Sequence, residues 1–187
     1  MLSKEQLRIK YLKIRKLNYF EVNESYFEPL ISYLNKLYKK KTYNLSLYYP
    51  SNYEVNTLKL FKIINQKNNI VSLLPAITEK NQMKFHKWNY LDILMVNKYG
   101  MLEPEISKKQ IIPDIILVPL LAFDSQNNRL GYGKGYYDIF LRKYLKKNKN
   151  IITIGVAFSF QKYNKLPSSN FDVKLNYILT EKSIQKL

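Results

Sequence analysis

What most constrains this chain is a series of short runs that are apolar nearly throughout, at residues 70–74, 115–118 and 151–158. A strand with one wet face alternates apolar and polar residues, whereas a strand covered on both faces has no polar side to show. Segments of helical periodicity separate these runs, and strands alternating with helices build a parallel sheet with helices on each face. The expected fold is therefore α/β, a mostly parallel open sheet flanked by helices on both faces. The 187 residues suit one domain with a sizeable core, and no repeat, low-complexity tract or linker divides them. Residues 1–187 are thus expected to form a single domain.

Ser3 is a suitable N-cap for a helix over residues 3–17, on which Leu7, Tyr11 and Ile14 share one face. A second helix is predicted over about residues 24–40, where Phe27, Leu30, Ile31, Leu34, Leu37 and Tyr38 recur as a core-facing stripe. Pro29 suits a first turn, which draws the start toward Glu28. A strand at 43–49 ends at Pro50, and Asn56 caps a third helix carrying Leu58, Phe61 and Ile64 or Asn65. Residues 83–88 read as a more polar strand with the single histidine, His86, at the surface or within the strand and Trp88 in the core. Residues 97–113, with Gly100, Pro104 and Pro113, read mostly as loop, as do residues 124–134. A helix then runs from Gly135 or Tyr136 to Leu145, and a last strand spans 175–179.

The longest apolar run, residues 115–123, contains Pro119 and is far short of the roughly 20 residues that cross a bilayer. No secretory signal is evident, and Glu5, Glu21 and Glu24 argue against a mitochondrial presequence. Without cysteine there is neither a disulfide framework nor thiol chemistry. A cytoplasmic protein is expected. The net charge of +17 raises the alternative of a basic nucleic-acid-binding protein. Base readout favours arginine, yet only Arg8, Arg15, Arg129 and Arg142 occur, and the lysines are spread along the whole chain. Attraction for anionic substrates is the preferred reading, with no nucleic-acid partner.

The chemistry is concentrated at residues 129–138, RLGYGKGYYD. Gly131, Gly133 and Gly135 let the backbone take positive φ and let a ligand approach closely. Successive peptide N–H groups then make an anion nest, and the following helix adds unpaired donors and its positive dipole end. Lys134 and Arg129 add full charge, and Asp138 is a hard oxygen ligand suited to Mg²⁺ beside phosphates. The spacing matches neither the dinucleotide GxGxxG nor the Walker A pattern, so the residues alone indicate an anion site of phosphate type.

Residues 114–141, DIILVPLLAFDSQNNRLGYGKGYYDIFL, resemble the signature of the 5-formyltetrahydrofolate cyclo-ligase family. KEQLR at 4–8, YEVNT at 53–57, GMLEP at 100–104 and the aspartate of FDVKLNYILT at 171–180 resemble further family segments, in the family's order. Leu120, Phe171 and Asn176 depart from the commoner family residues.

The resemblance implies an ATP- and Mg²⁺-dependent enzyme that converts 5-formyltetrahydrofolate to 5,10-methenyltetrahydrofolate, ADP and phosphate. Lys4, Arg8 and residues Arg129, Leu130, Gly131, Tyr132, Gly133, Lys134, Gly135, Tyr136 and Tyr137 would bind ATP. Arg129 and Lys134 would be the catalytic pair, and Asp138 and Asp172 would hold Mg²⁺. Glu54 would bind the pterin end of the folate, with Tyr132, Gly133, Lys134, Gly135 and Tyr136 at the junction of the two substrates. Without the resemblance, Lys4 and Arg8 read as a solvated basic face, Asp172 as a turn residue and Glu54 as a loop carboxylate. A family member acting on a different substrate is the other alternative. The positive charge would favour a polyglutamylated folate, and the protein would be a monomer or a dimer.

Overall fold

The computed structural model describes residues 2–38, 41–106 and 109–186. Helix α1 spans Lys4–Asn18. Its capping box is complete: Ser3 Oγ accepts from the Gln6 amide and the Gln6 side chain accepts from the Ser3 amide. A 3₁₀ turn, Glu24–Phe27, capped by Asn23, then leads into α2, Glu28–Tyr38. The predicted second helix therefore begins as a 3₁₀ turn, and its predicted end at residues 39 and 40 lies outside the described residues. Its stripe is buried at Phe27, Leu30 and Leu34, while Leu37 is exposed.

Strand β1 is Tyr43–Ser46, shorter than predicted, although the Leu47 amide still reaches the Leu73 carbonyl at 2.9 Å. Helix α3 is Leu58–Ile64, and Asn56 Oδ1 accepts from the Leu58 amide at 3.1 Å. Next come β2, Ile70–Ile77, and β3, Met83–Lys87. Strands β4, Leu94–Val96, and β5, Leu102–Pro104, form an antiparallel hairpin, with β5 inside the stretch predicted as loop. Strand β6, Ile115–Pro119, is followed by a second small hairpin of β7, Ala122–Phe123, and β8, Arg129–Leu130, with β8 inside a stretch also read as loop. Helix α4 is Tyr136–Leu145, and β9, Ile152–Val156, β10, Tyr177–Leu179, and β11, Ile184–Lys186, complete the chain.

The main sheet has the order β11-β10-β9-β6-β1-β2-β3. Pairing is parallel from β10 to β2, and the edges β3 and β11 are antiparallel. On one face Leu45, Ile115, Leu117 and Ile154 pack with Leu30, Leu34 and Phe61 of α2 and α3. On the other, Ile116, Val118, Leu73 and Phe85 pack with Phe140 and Leu141 of α4. All of β6 from Ile115 to Val118 is buried, as its unbroken apolar run requires. Trp88 is in the first core and His86 is buried within β3. Helix α1 lies outside this layering, with Leu7 and Tyr11 against Leu121, Ala122 and Leu130. No helix of the described residues is long and apolar enough to cross a membrane.

The chain leaves β1 toward β2 on one side and joins β6 on the other, so the strand order reverses between β1 and β6. Crevices form outside the carboxyl ends of strands at such a switch point. The segments leaving those two ends are the ones that carry Glu54 and the glycine loop.

Candidate functional site

The glycine loop is held at its base by a buried turn. The Asp124 carboxylate accepts from the amides of Gln126, Asn128 and Leu166 and from the Asn128 side chain. This turn aligns β7 with β8 and delivers the chain to Gly131. Gly133 has φ +94°, and Gly135, with φ +72°, occupies the N-cap position of α4. Helix α1 lies against the loop: Arg8 Nε donates to the Gly131 carbonyl at 3.0 Å. A β-carbon on Gly133 would lie 3.2 Å from Arg8 Cζ, so the glycine admits the guanidinium.

Two ion pairs line the same cleft. Arg129 Nη2 is 2.6 Å from Asp138 Oδ1, Arg129 Nη1 donates to the Val173 carbonyl at 2.5 Å, and Asp138 Oδ1 also takes the Val173 amide at 3.0 Å. Burial lowers the Arg129 pKa, and the charge of Asp138 opposes that shift. Asp172 Oδ2 accepts from Lys4 Nζ at 2.5 Å and from the amide and hydroxyl of Ser169. Burial would raise the Asp172 pKa, but the hydrogen bonds from Lys4 and Ser169 outweigh it and hold the carboxyl below its ordinary value.

Glu54 lies at the other end of the cleft. It follows Asn52 and Tyr53, both at positive φ, and is only 6% exposed. One of its oxygens accepts from the Ser51 amide at 2.8 Å, and the other accepts from the Tyr132 hydroxyl. Burial raises the Glu54 pKa, with Tyr132, Arg15 and Ser51 opposing. Tyr132 in turn accepts from Arg15 Nη2 at 2.7 Å. An apolar wall of Pro75, Ile77, Met83, Met101 and Leu102 closes one side, and the Tyr99 and Tyr136 hydroxyls meet across the mouth at 2.6 Å. Lys134 is exposed, its Nζ 5.3 Å from the centre of the Tyr99 ring.

Every residue predicted for the site lines this one cleft of about 470 Å³, from Lys4 and Arg8 through Glu54 and residues 129–138 to Asp172. The Leu130 side chain is an exception in kind, buried among α1 residues so that only its backbone is available to a ligand. Tyr137 also lines the cleft, yet its hydroxyl is buried and meets no partner among the described residues. The sequence reading missed Arg15, Tyr99, Glu103 and Arg142. For Arg15 a signal existed, since Leu7, Tyr11 and Arg15 recur at intervals of four and all three are buried.

Among the described residues no group of three or more His, Cys, Asp or Glu side chains could hold a metal ion. Mg²⁺ does not need one, because it commonly binds through one or two carboxylates plus substrate phosphates and water. Asp138 and Asp172 fit that pattern: in each, the hydrogen bonds fall on one oxygen, and both carboxylates face the cleft of the glycine loop.

A family model described as the 5-formyltetrahydrofolate cyclo-ligase family matches residues 1–181. The chain is 30% identical over 185 residues to the 5-formyltetrahydrofolate cyclo-ligase of Haemophilus influenzae, covering 95% of this chain and 97% of that one. It is 32% identical over 183 residues to the protein of the same name from Mycoplasma genitalium, covering 96% and 98%. Its fold is similar to the solved structure of the 5,10-methenyltetrahydrofolate synthetase of Aquifex aeolicus, with a TM-score of 0.76 and 31% identity over 99% of this chain and 93% of that one. Matched along nearly its whole length in sequence and in fold, the chain belongs to the 5-formyltetrahydrofolate cyclo-ligase family.

Proposed function

We propose that this protein is an ATP- and Mg²⁺-dependent 5-formyltetrahydrofolate cyclo-ligase. The observation that carries the reading is the two-ended cleft: a cationic glycine loop at one end and a buried carboxylate at the other, bridged by Tyr132. The glycine loop suits a nucleoside triphosphate. The carboxylate suits the amino and imino donors of a pterin.

An amide oxygen is a poor leaving group, and phosphorylation makes it a good one. The formyl oxygen attacks the γ-phosphorus and the bond to ADP breaks. Nitrogen 10 then attacks the formyl carbon and loses its proton, and phosphate departs with the original formyl oxygen. Such transfers ask the protein to position reactants and to neutralise charge. Arg129 and Lys134 stabilise the phosphoryl group in transit, while Lys4 and Arg8 bring further positive charge from α1. Mg²⁺, held by Asp138 and Asp172, would neutralise the phosphate oxygens. Glu54 orients the folate, and the net charge of +17 favours a polyglutamylated tail. A cytoplasmic setting belongs to the same reading.

The test is to add purified protein to 5-formyltetrahydrofolate, ATP and Mg²⁺ and follow near-ultraviolet absorbance. An ATP-dependent rise of the methenyl chromophore is expected. No rise from protein that still binds ATP would overturn the assignment of the substrate.

A further inference from the structure

Arg15 is among the most buried side chains of the chain, 1% exposed, and it lies outside the residues assigned above to either substrate. A guanidinium taken out of water requires compensation by partners. Among the described residues no carboxylate lies within ion-pair distance of it. Its Nη1 donates to the Leu120 carbonyl at 3.1 Å, its Nη2 donates to the Tyr132 hydroxyl at 2.7 Å, and its Cζ lies 5.5 Å from the centre of the Tyr132 ring. The nearest compensation by a full negative charge runs through that phenol, because Tyr132 is also bonded to Glu54.

The chemistry of the donors fixes the direction of this chain. A guanidinium has no acceptor, so the phenol oxygen accepts from Arg15. The single phenolic proton is then directed to Glu54, whose oxygen accepts it. Ser51 holds the other carboxylate oxygen with its amide. The Ser51 hydroxyl also reaches that oxygen at 3.3 Å, so both oxygens are fixed as acceptors, and the oxygen that meets Tyr132 retains a lone pair for a ligand in the cleft.

We infer that Arg15 is a positioning residue for the folate, acting through Tyr132 to keep Glu54 an oriented acceptor for an N–H donor of the substrate's ring. This rests on the reading of Glu54 as the pterin contact. It adds that the specificity of that contact is set from the first helix, by a residue that does not touch substrate. The groups around Glu54 are consistent with Arg15 as the source of the effect. Glu54 faces Ser51 on its own loop, Tyr132 on the glycine loop, and the phenols of Tyr48 and Tyr137, whose pKa values are raised chiefly by burial. Arg15 is the cation whose field lowers the Glu54 pKa against burial. Without it, a buried carboxyl tends to bind a proton and become a donor itself.

The experiment compares Arg15→Met, Arg15→Lys, Tyr132→Phe and Glu54→Gln, each checked for folding by circular dichroism, for kcat, for KM of both substrates and for the pH dependence of kcat/KM. Arg15→Met is expected to raise the KM for 5-formyltetrahydrofolate by roughly tenfold or more while changing that for ATP less than about twofold. The acidic limb of kcat/KM for the folate should move to higher pH, because a carboxyl without its cation ionises later. Arg15→Lys should restore part of the shift. If Arg15→Met does not fold, Tyr132→Phe decides, since it interrupts the same chain and should give the same selective loss. Equal losses for both substrates with an unmoved pH profile would overturn the inference and leave Arg15 a packing residue. Glu54→Gln separates the two levels: if it spares folate KM, the reading of the pterin contact fails. If it raises folate KM while Arg15→Met and Tyr132→Phe do not, only the positioning role fails.

Discussion

Arg129 and Asp138 form a pair in which one carboxylate oxygen serves two donors, Arg129 Nη2 at 2.6 Å and the Val173 amide at 3.0 Å. The pair thus ties the end of β8 to the first turn of α4 and to the chain that carries Asp172. Asp138→Asn keeps an oxygen for both donors but removes the charge. Turnover should fall by about 100-fold or more, with a smaller loss of stability than alanine causes, because both hydrogen bonds survive. Asp138→Ala leaves a buried guanidinium without its partner and should also cost about 3 kcal/mol of unfolding free energy. Lys134→Ala, on an exposed side chain, should match the asparagine variant in lost turnover and stay within about 0.5 kcal/mol of the parent in stability. Steady-state assays and urea melts run in parallel check all three, and equal stability losses for Asp138→Asn and Asp138→Ala would contradict this account.

The three loop glycines should respond differently to alanine. At Gly133 the methyl meets Arg8 Cζ at 3.2 Å and the backbone has φ +94°, so both the loop and the guanidinium must move. ATP affinity should fall by about tenfold or more, as expected when phosphate-binding groups are displaced. At Gly135 the space is open but φ is +72°, and about 1 kcal/mol of strain is expected. At Gly131 the space is open and φ is ordinary, so alanine should be nearly neutral in a urea melt. Calorimetric titration with ATP would rank the variants.

The Lys4–Asp172 pair links stability to pH. Its side chains are 29% and 28% exposed, so screening limits the contribution at neutral pH to less than about 1 kcal/mol. The folded-state pKa of Asp172 is depressed below 3.8, so the stabilisation is fully present above that ordinary value and is lost as pH falls through the lower one. Asp172→Asn should therefore be slightly less stable than the parent at pH 7, and the difference should close as pH falls through the depressed pKa. A difference that grew on acidification would have the wrong sign.

What could be read in the sequence had a local signal. The apolar run at 115–118 became β6, Ser3 became the N-cap of α1, and the glycine alternation became the loop over the cleft. What could not be read depends on partners far along the chain. Strands β4 and β5 have three residues each, too few for periodicity to register, and their apolar residues Met95 and Val96 face outward. Arg15 sits on the buried stripe of α1, but a cation is read as solvent-facing unless its partner is known. That partner, Tyr132, is 117 residues away. The candidate site residues were singled out because their segments resemble a family, whereas spacing alone left Glu54 a loop carboxylate.

Glu103 gives a last prediction, since it fastens the β4–β5 hairpin beside the cleft. It is 8% exposed, and one of its oxygens accepts from the Ile77 amide at the end of β2 at 3.0 Å and from Asn97 Nδ2 at 2.9 Å. Asn97 in turn holds the amides of Tyr99 and Met101, which shape the turn that carries the Tyr99 ring to Tyr136. Glu103→Ala leaves a partly buried amide unpaired and should cost about 1–3 kcal/mol. It should also free the turn, raising the KM for 5-formyltetrahydrofolate by roughly three- to tenfold through lost positioning. Tyr99→Phe removes only the contact between hydroxyls at the mouth and should leave stability unchanged. Hydrogen exchange at the Ile77 amide separates the causes: in Glu103→Ala that amide should lose protection, and in Tyr99→Phe it should keep it. Retained protection in Glu103→Ala would mean that pairing within the hairpin, rather than this carboxylate, holds it over the cleft.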